Sequence, residues 1–276
     1  MQRITITSYS GYNRWLIGLV LILGVGLTGN LAGLAQAVTA KRPLPTVHLH
    51  PKVAIIIDDV GLVSPEQHWN AEFYRIAAPL DWSVIPFRPF TRTCAISGKA
   101  HGFQVMLHLP VDPFQGRKNP GIGFIVKGSS PATAVRQFET DLAQVPEAQG
   151  VNNHMGNLGP EDSAIAAALM AQVHKHHLFF IDSLTGPHSI IGSYAQRYMI
   201  PHASRDVFID DQNSMNYKLT ALRRLITIAR KYGEAIGIGH IRPGTAKAIL
   251  SMLPVMKREG IEIVPVSQLV RLDKKG

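Results

Sequence analysis

Val53-Ala54-Ile55-Ile56-Ile57-Asp58-Asp59-Val60-Gly61 decides the reading of this chain. Five apolar residues, rich in β-branched side chains, form a run typical of a strand buried on both faces. Two carboxylates then close it. Such a strand belongs inside a parallel sheet, and the chain that follows supplies the other strands. Trp82–Pro86, Phe103–Leu109, Val151–His154, Leu178–Ile181, Val207–Ile209, Ala235–Ile238 and Ile261–Val266 read as further strands. Helical patterns separate most of them. One opens at Ser64-Pro65-Glu66 and another at Ser130-Pro131, with Val135, Phe138, Leu142 and Val145 on one face. A third starts at Pro160 with Ile165, Leu169 and Val173. A long one, capped by Asn213, runs to Gly233, and Pro243–Arg258 ends at Gly260. A cap, then proline, and a glycine past the end are the expected helix boundaries.

Strand–helix alternation at this spacing implies parallel strands joined by helical crossovers. The fold class expected is α/β, a (β/α) barrel of about seven parallel strands, with a doubly wound open sheet as the alternative. No glycine-rich turn follows the first strand, where Gly61 stands alone, so a dinucleotide cofactor is not expected.

The 276 residues are 46% apolar and 17% charged, which suits a folded domain with a sizeable core. The formal net charge of +9 favours acidic surfaces or polymers, but no Lys/Arg run interleaved with aromatics marks a nucleic-acid groove. A single cysteine, Cys94, excludes an internal disulfide or a cysteine-rich zinc site. Residues 1–37 have the order of a signal peptide: Arg3 and Arg14, an apolar run from Trp15 to Leu27, then Ala35-Gln36-Ala37. The run is shorter than the ~20 residues of a comfortable membrane span. Cleavage is the expectation; an uncleaved anchor reaching Leu34 is the alternative and would be the only membrane contact. Residues 38–52, with Pro43, Pro45 and Pro51, read as a linker, and 53–276 as the domain. The expected location is the periplasm or cell envelope.

Polar residues gather at strand ends. Asp58 and Asp59 end the first strand, His108 the third, Asn152, Asn153 and His154 the fourth, and Asp182 the fifth; His240 follows Ala235–Gly239. In parallel β/α folds these ends share one face, where active sites are built. Carboxylates plus imidazoles suit zinc or a similar divalent metal with a position left for water. One carboxylate would bind the cation and the other act as a base. Asp182 could instead cap the following turn, and Arg205-Asp206 is either a plain ion pair or an arginine that orients Asp58. His174, His176 and His177 sit near a helix C-terminus and read as structural or solvated.

Several ordered motifs across residues 52–270 resemble the divergent polysaccharide deacetylases of the carbohydrate-deacetylase superfamily. They are Ala54–Gly61, His108-Leu109-Pro110, Asn152-Asn153-His154-Met155-Gly156, Phe180-Ile181-Asp182-Ser183, Arg205-Asp206-Val207-Phe208 and Ile238-Gly239-His240. The resemblance implies an irregular barrel, with Asp58 as base, Asp59 as metal ligand and His240 as general acid. His154 matches the first histidine of the superfamily's ligand motif, but Asn157 stands where the second belongs. His108 or His240 is the candidate for the missing ligand. The set carried forward is Asp59, His154 and His108 for metal, with Asp58, His240, Asp182 and Arg205 catalytic. The function implied is deacetylation of an envelope polysaccharide or peptidoglycan. The alternatives are a non-catalytic binding or regulatory protein with the same fold, and a glycosidase.

Overall fold

The computed structural model of the chain describes residues 50–113, 122–186 and 188–272. The signal-peptide reading and nearly all of the linker lie outside them. The elements run β1 (Lys52–Val60), α1 (His68–Ala71), β2 (Asp81–Val84), α2 (Thr91–Ala100), β3 (Gln104–Val111), α3 (Pro131–Gln144), β4 (Gly150–Met155) and α4 (Ser163–Lys175). They continue with β5 (Phe179–Asp182), α5 (Ile191–Arg197), β6 (His202–Ser204), β7 (Val207–Phe208), α6 (Met215–Tyr232), β8 (Glu234–His240), α7 (Thr245–Arg258) and β9 (Glu262–Ile263).

The strands form one parallel sheet in the order β6-β5-β4-β3-β2-β1-β8-β7, with β9 beside the start of β1. The sheet returns on itself. β6 and β7 stand at opposite ends of that order, yet only Arg205 and Asp206 separate them in the chain. The Arg205 amide bonds the carbonyl of Asp182 on β5, and the next amide bonds Ile236 on β8. One short segment thus closes the irregular parallel (β/α) barrel that the sequence implies.

Side-chain alternation divides the core in two. Val53, Ile55 and Ile57 of β1 pack with Trp82, Leu107, Val151, Phe180 and the helices. Ala54 and Ile56 pack inward with Met106, Phe179, Ile181, Ile236 and Ile238, without any side chain from α1–α7. Period-two alternation sends each strand's residues either to the helix layer or to the barrel interior. Gly150 shows how tight the interior is, because a Cβ there would lie 2.2 Å from the Phe179 ring.

Helix boundaries follow local chemistry, with two corrections. Ser130 caps α3 by accepting the Thr133 amide, and Pro131 takes the first position. Ser214, not Asn213, caps α6. Asn213 is otherwise engaged: its side-chain oxygen and its carbonyl both accept from the ammonium of buried Lys218. The helix expected at Ser64 is a turn. The Ser64 carbonyl accepts from the Gln67 amide and the Asn70 side chain, and the helix that follows has four residues. The last strand is also shorter than Ile261–Val266, since the chain turns at Val266–Gln268.

Candidate metal centre and active site

Alternation on the strands builds the site. Asp58 continues the inward row of Ala54 and Ile56; His108 continues that of Met106; His240 follows Ile236 and Ile238. Asn152 lies opposite in phase to the outward Val151, and His154 shares its phase. Parallel register then sets Asp58 beside His240, and His108 beside Asn152. Asp59 is out of phase and should face the helices. It takes a left-handed backbone (φ 62°), and the β1–β2 register shifts between Ile57 and Val60. A kink of this kind re-aims a side chain at a strand end, and Asp59 joins Asp58 at the barrel mouth.

Three donors meet there. Asp59 Oδ1 lies 3.1 Å from His154 Nδ1 and 3.5 Å from His108 Nε2, and the two nitrogens are 3.0 Å apart. Metal–donor bonds of about 2.0–2.1 Å in a tetrahedral site put neighbouring donors about 3.3 Å apart. Buried Asp59 Oδ1 makes no well-formed hydrogen bond among the described residues. A buried oxygen left so, against two converging imidazole nitrogens, fits a divalent cation. Among the described residues Asp59, His108 and His154 form the one group of histidine, cysteine and acidic side chains arranged to hold one.

The charges of Asp59 and His154 suit that use. Burial alone would raise the Asp59 pKa, but contacts with His108 and His154 and their positive charge hold it far below the usual carboxylate range. Burial and the neighbouring His108 depress His154, favouring the neutral ring a ligand needs. Burial also opposes charge on His108, yet Asp58 and Asp59 outweigh it and raise its pKa. Asp58 Oδ2 is 3.6 Å from His108 Nε2, and Asp58 Oδ1 accepts from Asn152 Nδ2 at 2.9 Å.

Beside this cluster stands an imidazole–carboxylate pair. His240 Nδ1 is 2.7 Å from Asp210 Oδ1, while Asp210 Oδ2 accepts from the His240 amide and the Thr245 hydroxyl. Burial works against charge on His240, but the Asp210 hydrogen bond and the charges of Asp58 and Asp210 raise its pKa above the ordinary value. Phe208 stacks near the His240 ring with centroids 5.9 Å apart.

Two expected catalytic residues take other work. Asp182 is in the outward phase of β5, and its Oδ1 accepts the Leu184 amide, capping the turn. Arg205 makes no hydrogen bond to Asp58. Its guanidinium bonds the carbonyls of Ser183 and Leu184 and lies 3.6 Å over the Phe208 ring. Asn152 occupies the place beside Asp58 that was expected for the arginine. Asp210, a member of the site beyond the expected set, follows the strand Val207–Ile209 and carries the same strand-end signal as the others. His176 is a surface partner of Glu139.

Comparison with known proteins places the fold and the family. A protein from Haemophilus influenzae, described as uncharacterized, is 32% identical over 223 residues, covering 81% of this chain and 78% of its own. The crystal structure of the uncharacterized protein ATU2773 from Agrobacterium tumefaciens C58 matches at TM-score 0.73 and 26% identity, covering 83% of this chain and 92% of that one. A CE4 family pseudoenzyme from Bacillus anthracis matches at TM-score 0.51 and 12% identity, covering 81% and 66%, a likeness of fold alone. The model of the divergent polysaccharide deacetylases matches residues 55–270, from the first inward strand to beyond β9. The chain belongs to the divergent polysaccharide deacetylase family.

Proposed function

We propose that the chain is a metal-dependent hydrolase that removes acyl groups from an envelope polysaccharide or peptidoglycan, with zinc as its metal. The observation that carries this reading is the meeting of Asp59, His108 and His154 beside Asp58, with His240 and Asp210 on the other side. Two carboxylates and three imidazoles so placed supply the ligands, the base and the acid that metal-assisted acyl hydrolysis can use.

A cation held by Asp59, His108 and His154 would polarise the acyl carbonyl and lower the pKa of water. Asp58 takes a proton from water as the water oxygen adds to the acyl carbon. The carbon–nitrogen bond of an acetamido group, or the carbon–oxygen bond of an ester, then breaks. His240 gives its proton to the departing nitrogen or oxygen, leaving acetate and the free amine or hydroxyl. Asp210 holds the ring by Nδ1 and leaves Nε2 for that transfer. The positive net charge suits an anionic glycan. Export, through cleavage of the first 37 residues or anchoring by them, would place the enzyme with such a polymer.

Metal analysis of the purified protein, paired with acetate release from N-acetylglucosamine oligomers and from peptidoglycan, tests the reading. Bound zinc and acetate release are expected. Metal uptake without acetate would favour a binding protein; release of sugar fragments would favour a glycosidase. Asp59→Ala and His154→Ala should each abolish stoichiometric metal. Unchanged metal content in both would sink the ligand assignment.

A further inference from the structure

We infer that Asn152 is the positioning residue of the centre: it fixes the tautomer and ring orientation of His108 for metal binding and ties that ring to Asp58. The inference rests on the metal-dependent reading above. Asn152 is fully buried and sits on β4 directly beside His108 of β3. Both ends of its carboxamide are engaged. Nδ2 donates to Asp58 Oδ1 at 2.9 Å and to Ser183 Oγ at 3.2 Å. Oδ1 accepts the Ser83 hydroxyl and lies 3.1 Å from His108 Nδ1.

The direction of this amide follows from its partners. Asp58, the base in the reading above, accepts at Oδ1, so the nitrogen must face it and the oxygen must face His108. An acceptor at His108 Nδ1 calls for a proton there. In the neutral ring Nε2 then carries the lone pair. Nε2 is the atom that faces Asp59 Oδ1 and His154 Nδ1. Ligating histidines are held through their second nitrogen in this way, and loss of that support weakens the centre. The usual holder is a carboxylate or a carbonyl, either of which would only accept. A carboxamide accepts from the ligand and also donates to Asp58, without placing a further negative charge against Asp58. Ser83 supports the arrangement from β2, where it holds the inward phase between outward Trp82 and Val84.

Long-range 1H–15N correlation spectra of the metal-free protein, at a pH where the rings are neutral, read the tautomer directly. His108 is expected as the Nδ1–H form in the wild type and in Asn152→Asp, which keeps the acceptor. Asn152→Leu, of similar size, should lose the preference and bind zinc about 10- to 100-fold more weakly in chelator competition. An Nε2–H form in the wild type overturns the assignment without any variant. A folded Asn152→Leu protein that keeps both tautomer and affinity also overturns it. Zinc uptake by the wild type is measured first: its absence sinks the metal reading, whereas normal uptake with a tautomer indifferent to Asn152 sinks this inference alone.

Discussion

Asp59 and Asp81 are two acids in adjacent strands with opposite fates. Asp59 ends the inward kink of β1 and meets two imidazoles, which hold its pKa far down. Asp81 begins β2, is wholly enclosed, and among the described residues accepts from the amide of Val266, which donates to both of its oxygens. Burial there outweighs that bond and raises its pKa well above the carboxylate range. The difference teaches that, in this pair, enclosure raises the pKa of an acid that has no cationic partner. A cationic or metal-binding partner is what keeps the other charged and able to react.

The largest effect that sharpens this contrast belongs to the charged end. Asp58→Asn should cut acetate release by about 10²- to 10⁴-fold, with zinc content unchanged because Asp58 is not among the three converging donors. Activity near that of the wild type would remove Asp58 as the base. Next in size, Asp210→Asn should slow the reaction by about 10- to 10²-fold, part of what a general acid supplies. His240 must be protonated to act, so activity falls as pH rises through its raised pKa. Without the Asp210 charge that pKa drops, and the alkaline limb of the pH–rate profile should move to lower pH. An unmoved limb would assign it to another group.

Asp81 breaks or sustains the other half of the comparison. Its folded pKa lies above the unfolded one, so its contribution to stability is complete at low pH and is lost as pH rises from about 4 toward the folded pKa. Asp81→Asn keeps an acceptor for Val266 and cannot ionise. Denaturation at pH 4 and pH 8 should show the wild type losing more stability than the variant, by about 1–3 kcal/mol. Parallel losses would mean that Asp81 is solvated after all. The smallest expected effect lies far from both acids: Ser130→Ala should cost about 1 kcal/mol through the lost α3 cap and leave metal binding untouched.

Much of this architecture was legible before any coordinates. Long apolar runs gave the strands, and the alternation within β1, β3 and β8 already pointed Asp58, His108 and His240 the same way. The same count would have sent Asp182 outward, since it is out of phase with Phe179 and Ile181. Asp59 was harder, because its inward aim depends on a left-handed residue that no periodicity encodes. α2 escaped notice for a packing reason. It covers Trp82 with Cys94, Ala95 and Gly98, and a Cβ at Gly98 would fall 2.4 Å from the indole. A helix that packs through small residues leaves no apolar stripe to read. Arg205 lies beside the right residues, but its guanidinium went to two carbonyls, a choice made by backbone geometry.

The closing segment of the barrel has a mechanical consequence. β6 and β7 hold the two edges together with two or three residues each, whereas β1 and β8 are stitched along their length. Native-state opening begins where lateral support is thinnest. The seam carries Phe208 against the His240 imidazole, and its chain runs straight into Asp210. Loosening there would disturb that pair while Asp59, His108 and His154, on the sturdier wall, stay in place. Under the proposed function, a strained or heated protein would therefore keep its cation after it had stopped turning over.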